Sequence, residues 1–198
     1  RPFVVEKFIE ALPKTVKKIA VLDRTIEQGA IYEPLCLDVQ SSFYGKANAP
    51  VIVGGRYGLS SKDTTPAMIN AVFNNLKLDQ PKDHFTLGIN DDIKYSSLDI
   101  TEEIDVIDPS TTELLFFGLG SDGTVGACKN IAKIVGDYTD FYSQSYAAYD
   151  SKKSGGSTRL HLRFSKNPIR STYLVNKPHF VSCSLDAYLD KFDMIDGL

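Results

Sequence analysis

Short apolar runs rich in β-branched residues alternate with segments of helical periodicity along nearly the whole chain. That alternation constrains the fold more than any other feature. Residues 18–22 (KIAVL), 51–53 (VIV), 84–89 (HFTLGI), 114–117 (LLFF) and 180–182 (FVS) read as strands, the first two as strands buried on both faces. Between them, Val5, Phe8, Ile9 and Leu12 fall at i, i+3, i+4 and i+7, a helix that Pro13 stops. Residues 32–44 predict a second helix with Pro34 in its first turn, and Gly54-Gly55 is expected to end the strand that follows it. Thr64 or Thr65 then caps a helix with Pro66 at its start and Met68, Ala71, Val72 and Leu76 as its buried stripe. A further helix is expected from Thr124 to about Val135, with Gly136 as its C-cap, and a last one over 185–192. Residues 141–149 and 159–164 alternate with period two. The pattern predicts an α/β chain with mostly parallel sheets.

Residues 90–113 change character, holding eight Asp or Glu and one Lys. This acidic connector, with Pro109 near its end, predicts a domain boundary after residue 108, giving parts 1–108 and 109–198. The 42% hydrophobic and 24% charged content excludes wholesale disorder. No apolar run approaches the roughly 20 residues of a membrane helix. A formal charge of -3 argues against a globally basic nucleic-acid binder. Cys36, Cys128 and Cys183 are far apart, and with His84, His161 and His179 they show no metal-ligand spacing, so no metal site is expected. A reducing compartment fits them. The start, Arg1-Pro2-Phe3, lacks an initiator Met and a signal-peptide core, which reads as a piece of a longer chain.

Two features carry chemistry. Gly118, Gly120 and Gly123 match G-x-G-x-x-G between a predicted strand and a predicted helix. Glycine permits the tight turn and close backbone approach, and the helix N-terminus favours a phosphate-bearing ligand. The alternative is a tight turn that binds nothing. For NAD, an acid about 20 residues on is wanted, and Asp137, Asp140 and Asp150 are poorly placed. The second feature is a run of seven cations without an acid over 151–180: Lys152, Lys153, Arg159, Arg163, Lys166, Arg170 and Lys177. It is either an anion site or a solvated basic face. A parallel sheet would bring the 118–124 and 151–157 loops to one edge. Arg56 and Lys62 could meet phosphates from the loop 54–62, whereas Asp23 and Arg24 read as loop-fixing. A structural or phosphate-adjacent role is expected for His161. No self-contained catalytic set is present.

The pieces KKIAVLDRT (17–25), GGRYGLSSKD (54–63), HFTLGI (84–89), GLGSDGTVGACKN (118–130), YDSKKSGG (149–156), HLRF (161–164) and PIRSTYLV (168–175), with RPF near the start, stand in one order over almost the whole chain. They resemble an internal stretch of the pyruvate:ferredoxin (flavodoxin) oxidoreductase family. The resemblance implies two incomplete, open-sheet, mostly parallel Rossmann-like units. Residues 1–108 would be part of a transketolase C-terminal-like domain and 109–198 part of a γ-type, coenzyme A-associated domain. It implies a multidomain enzyme that converts pyruvate and coenzyme A to acetyl-CoA and CO2 and passes electrons to ferredoxin or flavodoxin. Thiamine diphosphate and iron–sulfur clusters would lie in other domains, so this stretch alone is expected to be inactive. A cytoplasmic homo-oligomer is implied, with a hydrogenosome-type organelle as the alternative location. By the same match, Gly120, Ser121, Asp122, Gly123, Thr124, Lys129, Asn130, Lys152 and Lys153 are the expected coenzyme A contacts. The chain departs from the family's usual GANKN at Cys128 and from SHLRFG at Leu160. A second reading is an oxidoreductase-derived scaffold domain of a eukaryotic NADPH sulfite reductase subunit.

Overall fold

The computed structural model describes residues 2–150, 156–195 and 197, and the chain divides between Asp105 and Val106 into two compact units. In the first, helix α1 (Val5–Ala11) precedes strand β1 (Lys18–Asp23), helix α2 (Pro34–Ser41), strand β2 (Val51–Arg56), helix α3 (Pro66–Lys77) and the two-residue strand β3 (Phe85–Thr86). The strands form a parallel sheet in the order β1-β2-β3. Pro34 and Pro66 open their helices, and Thr65 Oγ1 accepts the Met68 amide, as the capping pattern predicts.

Several boundaries differ from the sequence reading, each for a physical reason. β1 is only half-buried: Val21 and Asp23 are enclosed and its other four residues are partly exposed. Gly54 and Gly55 do not end β2; they continue it. A Cβ on Gly55 would stand 2.2 Å from the Phe85 ring, and one on Gly54 3.0 Å from the Tyr32 ring, so glycine here makes room for two aromatic side chains. The extended run 84–89 shrinks to β3, because His84 and Gly88 take positive φ (53° and 68°). Phe85, at 0% exposure, anchors a core with Val53, Val72 and Leu87.

The second unit contains strand β4 (Thr112–Leu119), helix α4 (Thr124–Tyr138), and strands β5 (Tyr142–Tyr149), β6 (Ser157–Ser165) and β7 (Phe180–Cys183). Its open sheet has the order β5-β6-β4-β7. β4 and β7 pair in parallel, while β6 is antiparallel to both β4 and β5. Three of these four strands thus run one way and β6 alone is reversed. Both units are open α/β sheets of Rossmann-like type.

α4 covers one face of the second sheet, burying Cys128 with Leu160 and Leu162. Full burial of a leucine contributes about 1.5–3 kcal/mol. Phe117 packs with Tyr188 and Met194 in a separate buried cluster. The helix expected over 185–192 is instead a single 3-10 turn, Asp186–Tyr188. Gly136 lies inside α4 rather than capping it; a Cβ there would meet Ser143 Oγ at 3.1 Å, so glycine lets the helix sit close to β5.

Candidate functional site

The glycine-rich loop joins the C-terminal end of β4 to the head of α4. Gly118 is fixed by packing: a Cβ would lie 2.7 Å from Thr124 Cβ. Gly123, at φ +90°, supplies the left-handed turn before the first helical residue, and Ser121 also has positive φ, 73°. The exposed Asp122 organises the loop. Its carboxylate accepts the Leu119 and Thr124 amides at 2.8 Å each and the Ser184 hydroxyl at 2.6 Å. Burial pushes its pKa up, but the Ser184 hydroxyl and the Thr124 and Leu119 groups outweigh that and bring it down to about 2. The anion expected at this helix head is therefore supplied by the loop itself.

Ser184 follows β7, and its amide donates to Phe117 O at 2.9 Å. The Asp122–Ser184 bond thus bridges the C-terminal ends of β4 and β7. The chain leaves β4 toward β5 and β6 on one side, while β7 lies on the other, so this is the point where strand order reverses. Open α/β sheets take their ligands in such a crevice.

The expected contact residues are distributed as follows. Gly120, Ser121, Asp122 and Gly123 are exposed in the loop, and Thr124 is half-buried as the first residue of α4. Lys129 and Asn130 are exposed on α4. Lys152 and Lys153 lie outside the described residues. The chain on either side of them does reach the glycine loop: Tyr149 pairs with Thr158, the Asp150 amide donates to Ser157 O at 3.1 Å, and the Gly120 amide donates to Gly156 O at 3.3 Å. This meeting does not arise from parallel strands. β6 runs antiparallel to β4, so its first residue, Ser157, pairs with the last residue of β4, Leu119.

The run of cations is not one surface. Arg159, Lys166, Arg170 and Lys177 are exposed, but Arg163 is buried. Its Nε donates to Glu113 Oε1 at 2.6 Å, its Nη1 donates to Gln144 Oε1 and Tyr173 O at 3.0 and 2.8 Å, and its guanidinium lies 5.1 Å from the Tyr173 ring centre. Glu113 had read as the tail of the acidic connector. The signal that it differs is its place inside a strand, at alternate spacing with Leu115 and Phe117. His161 is buried, and its Nδ1 accepts the Val175 amide at 3.1 Å, a structural role. Two of the departures from the family pattern, Cys128 and Leu160, belong to one buried cluster and face the core. Burial, with Asp122 nearby, pushes the Cys128 thiol up to about 11.

In the first unit, Asp23 accepts the Leu35 and Cys36 amides at 3.0 and 3.1 Å, so it caps α2 from the end of β1. Arg24 Nε donates to Gly58 O at 3.1 Å. Both hold loops, as the sequence favoured. Arg56 Nε donates to Glu33 Oε1 at 2.6 Å, and Lys62 is exposed. Arg56, Lys82, His84 and Asp91 line an open cleft of about 630 Å³ beyond the ends of β2 and β3. Charges there are largely committed: Lys82 Nζ donates to Tyr95 O and Ser97 O, and Asp91 accepts the Ile93, Lys94 and Ser96 amides. Among the described residues no three His, Cys, Asp or Glu side chains gather into a metal site, and no helix is long and apolar enough to cross a membrane.

Comparison with known proteins gives this geometry its setting. A family model described as pyruvate ferredoxin/flavodoxin oxidoreductase matches residues 113–198, from β4 through the glycine loop to the end of the chain. The whole chain is 54% identical to the pyruvate-flavodoxin oxidoreductase of Enterobacter agglomerans and 50% identical to the pyruvate:ferredoxin oxidoreductase of Moorella thermoacetica. The chain belongs to the pyruvate ferredoxin/flavodoxin oxidoreductase family. It spans 17% of the length of each of those two relatives. It is also 44% identical, over its full length and 10% of the relative's, to the pyruvate dehydrogenase [NADP(+)] of Cryptosporidium parvum. Family membership covers both units, since these matches run through residues 1–105 as well as the glycine loop.

Proposed function

We propose that this chain is part of a multidomain 2-oxoacid oxidoreductase that converts pyruvate and coenzyme A to acetyl-CoA and CO2, with electrons leaving to ferredoxin or flavodoxin. In this reading the first unit belongs to a transketolase C-terminal-like domain. The second begins a γ-type domain that holds the phosphates of coenzyme A. The observation that carries it is the glycine loop at the head of α4, opening on the β4/β7 crevice, with the Gly120 amide bonded to Gly156 O. The proposed phosphate contacts are the loop Gly120 to Thr124, the exposed Lys129 and Asn130 on α4, and the cations Lys152 and Lys153. Thiamine diphosphate and iron–sulfur clusters act in other domains, so the 198-residue chain alone does not turn over pyruvate.

The relatives named above are pyruvate oxidoreductases, which favours this reading over the sulfite reductase scaffold. The test is thermal denaturation of the complete chain with and without coenzyme A. A ligand at 100 times its Kd adds about 2.7 kcal/mol to stability, which raises Tm measurably. K152E/K153E removes that rise, and NADP(H) gives none. A rise that survives the double substitution places the phosphates elsewhere; no rise with wild type supports the scaffold reading.

A further inference from the structure

β5 is one edge of the second sheet, with β6 on its paired side. The Asp150 amide donates to Ser157 O. The alternation of an antiparallel ladder then turns the backbone groups of Tyr142, Gln144, Tyr146 and Ala148 toward β6, and those of Ser143, Ser145, Ala147 and Tyr149 outward. Among the described residues these four outward positions have no backbone partner. Edge strands are ordinarily protected by a charge, a proline, a bulge or shortness. β5 has none of these: its eight residues, YSQSYAAY, carry no charge and no proline, and its register with β6 runs unbroken from Tyr142–Ser165 to Tyr149–Thr158. Its three tyrosines are 50%, 59% and 65% exposed in chain order.

We propose that β5 is a docking edge for a second copy of this chain, the two β5 strands pairing antiparallel across a two-fold axis so that the sheets join. An uncharged edge has nothing with which to select a charged partner, and this strand is complementary to itself. Setting Ser143 opposite the partner's Tyr149 and Ser145 opposite the partner's Ala147 lets all four outward residues bond, about eight hydrogen bonds at two per pair. It also sets small side chains against larger ones on the face that carries α4, where Gly136 already lies against Ser143 Oγ. On the other face, where Gln144 reaches Arg163 and the Tyr146 ring lies 6.5 Å from that of His161, Tyr146 meets the partner's Tyr146. That meeting is a non-hydrogen-bonded pair, Cα atoms about 4.5 Å apart, in which aromatic side chains reinforce the ladder. At about 200 Å² per ring, the exposed parts of the three tyrosines amount to roughly 350 Å² per copy. Two copies with their strand backbones thus approach the ~1,000 Å² of a weak, specific interface. Because both copies use the same surface, the contact closes at two and does not grow into a filament.

The experiment is sedimentation velocity of the complete chain over a micromolar concentration series, with S145P, Y146K and Y146C beside the wild type. The wild type is expected to form a two-chain species with a Kd in the micromolar range. S145P removes an amide that faces away from β6, so the fold keeps its own ladder while the dimer loses two hydrogen bonds and gains two rings between the strands. Its Kd rises at least roughly tenfold. Y146K sets two like charges opposite each other and acts in the same direction, and it decides the matter if circular dichroism shows S145P unfolded. Y146C forms an intermolecular disulfide on mild oxidation, since its paired Cα atoms lie within disulfide range. The wild type, with Cys36 and Cys128 buried, controls for linkage through Cys183. A chain that stays monomeric throughout overturns the proposal and leaves the edge to another segment of a longer protein. A dimer that S145P and Y146K leave intact places the interface elsewhere and overturns it equally. Loss of the dimer in both variants without a Y146C crosslink overturns the two-fold register.

Discussion

Replacing Glu113 by Gln tests the least expected contact in the second unit. The side chains of Glu113 and Arg163 are 4% and 3% exposed, and Nε to Oε1 is 2.6 Å. Gln retains an oxygen for Nε and nearly the same volume, so the substitution removes charge and little else. Arg163 is then left as a buried cation among neutral acceptors, Gln144 Oε1 and Tyr173 O. Breaking a buried pair from one side costs about 3–5 kcal/mol, because the remaining charge is no longer compensated. For a unit of this size each kcal/mol moves Tm by roughly 4–8 °C. A fall of more than about 10 °C is therefore expected. The chain has no tryptophan, so circular dichroism and hydrogen exchange of β4 and β6 amides are the suitable readouts. The double variant Glu113→Leu/Arg163→Met removes both charges and is expected to be less damaging than Glu113→Gln alone. A loss below about 1 kcal/mol for Glu113→Gln, or a double variant worse than both singles combined, would show that the pair is solvated and that the burial argument is wrong.

Gly118→Ala forces a methyl to 2.7 Å from Thr124 Cβ; a loss of about 1–3 kcal/mol is expected, and unchanged urea denaturation would contradict the packing. Asp122 is held near 2, below the ordinary carboxylate value near 3.9, so its stabilising bonds are complete above pH ~4 and lost as pH falls through about 2. The stability difference between wild type and D122N should accordingly be flat above pH ~4 and close between pH ~4 and 2; a difference that changes near neutrality would point to another group. Burial, with Asp83, Asp23 and Glu33 nearby, pushes the Cys36 thiol up to about 12, and Cys128 is equally enclosed, whereas Cys183 is partly exposed. Iodoacetamide at pH 8 should add a single group, at Cys183, within minutes by intact mass; rapid double or triple labelling would mean that the cores open.

The order of elements was legible because it rests on local patterns: Pro34 and Pro66 at helix starts, Thr65 as a cap, and period-two runs in β5 and β6. The ends of elements were less legible, because they depend on partners distant in sequence. Gly54-Gly55 reads locally as a stop, yet Phe85 and Tyr32, some 20–30 residues away, require glycine there. His84 lies in an apolar run, yet its positive φ excludes it from the strand. The same limit applies to charge. Arg163 is indistinguishable from Arg159 or Lys166 in a count of cations. Only the pairing of β4 with β6, which sets Glu113 opposite Arg163, makes it a core residue.

Strand direction matters for the same reason. Had β6 run parallel to β4, Gly156 and Ser157 would stand at the opposite end of the sheet from the glycine loop. Because β6 is reversed, its first residues are tied to the end of β4 by residue-for-residue pairing, Leu119 with Ser157 and the Gly120 amide with Gly156 O. Neither the glycine spacing nor the number of cations could have specified that meeting of the two strand ends.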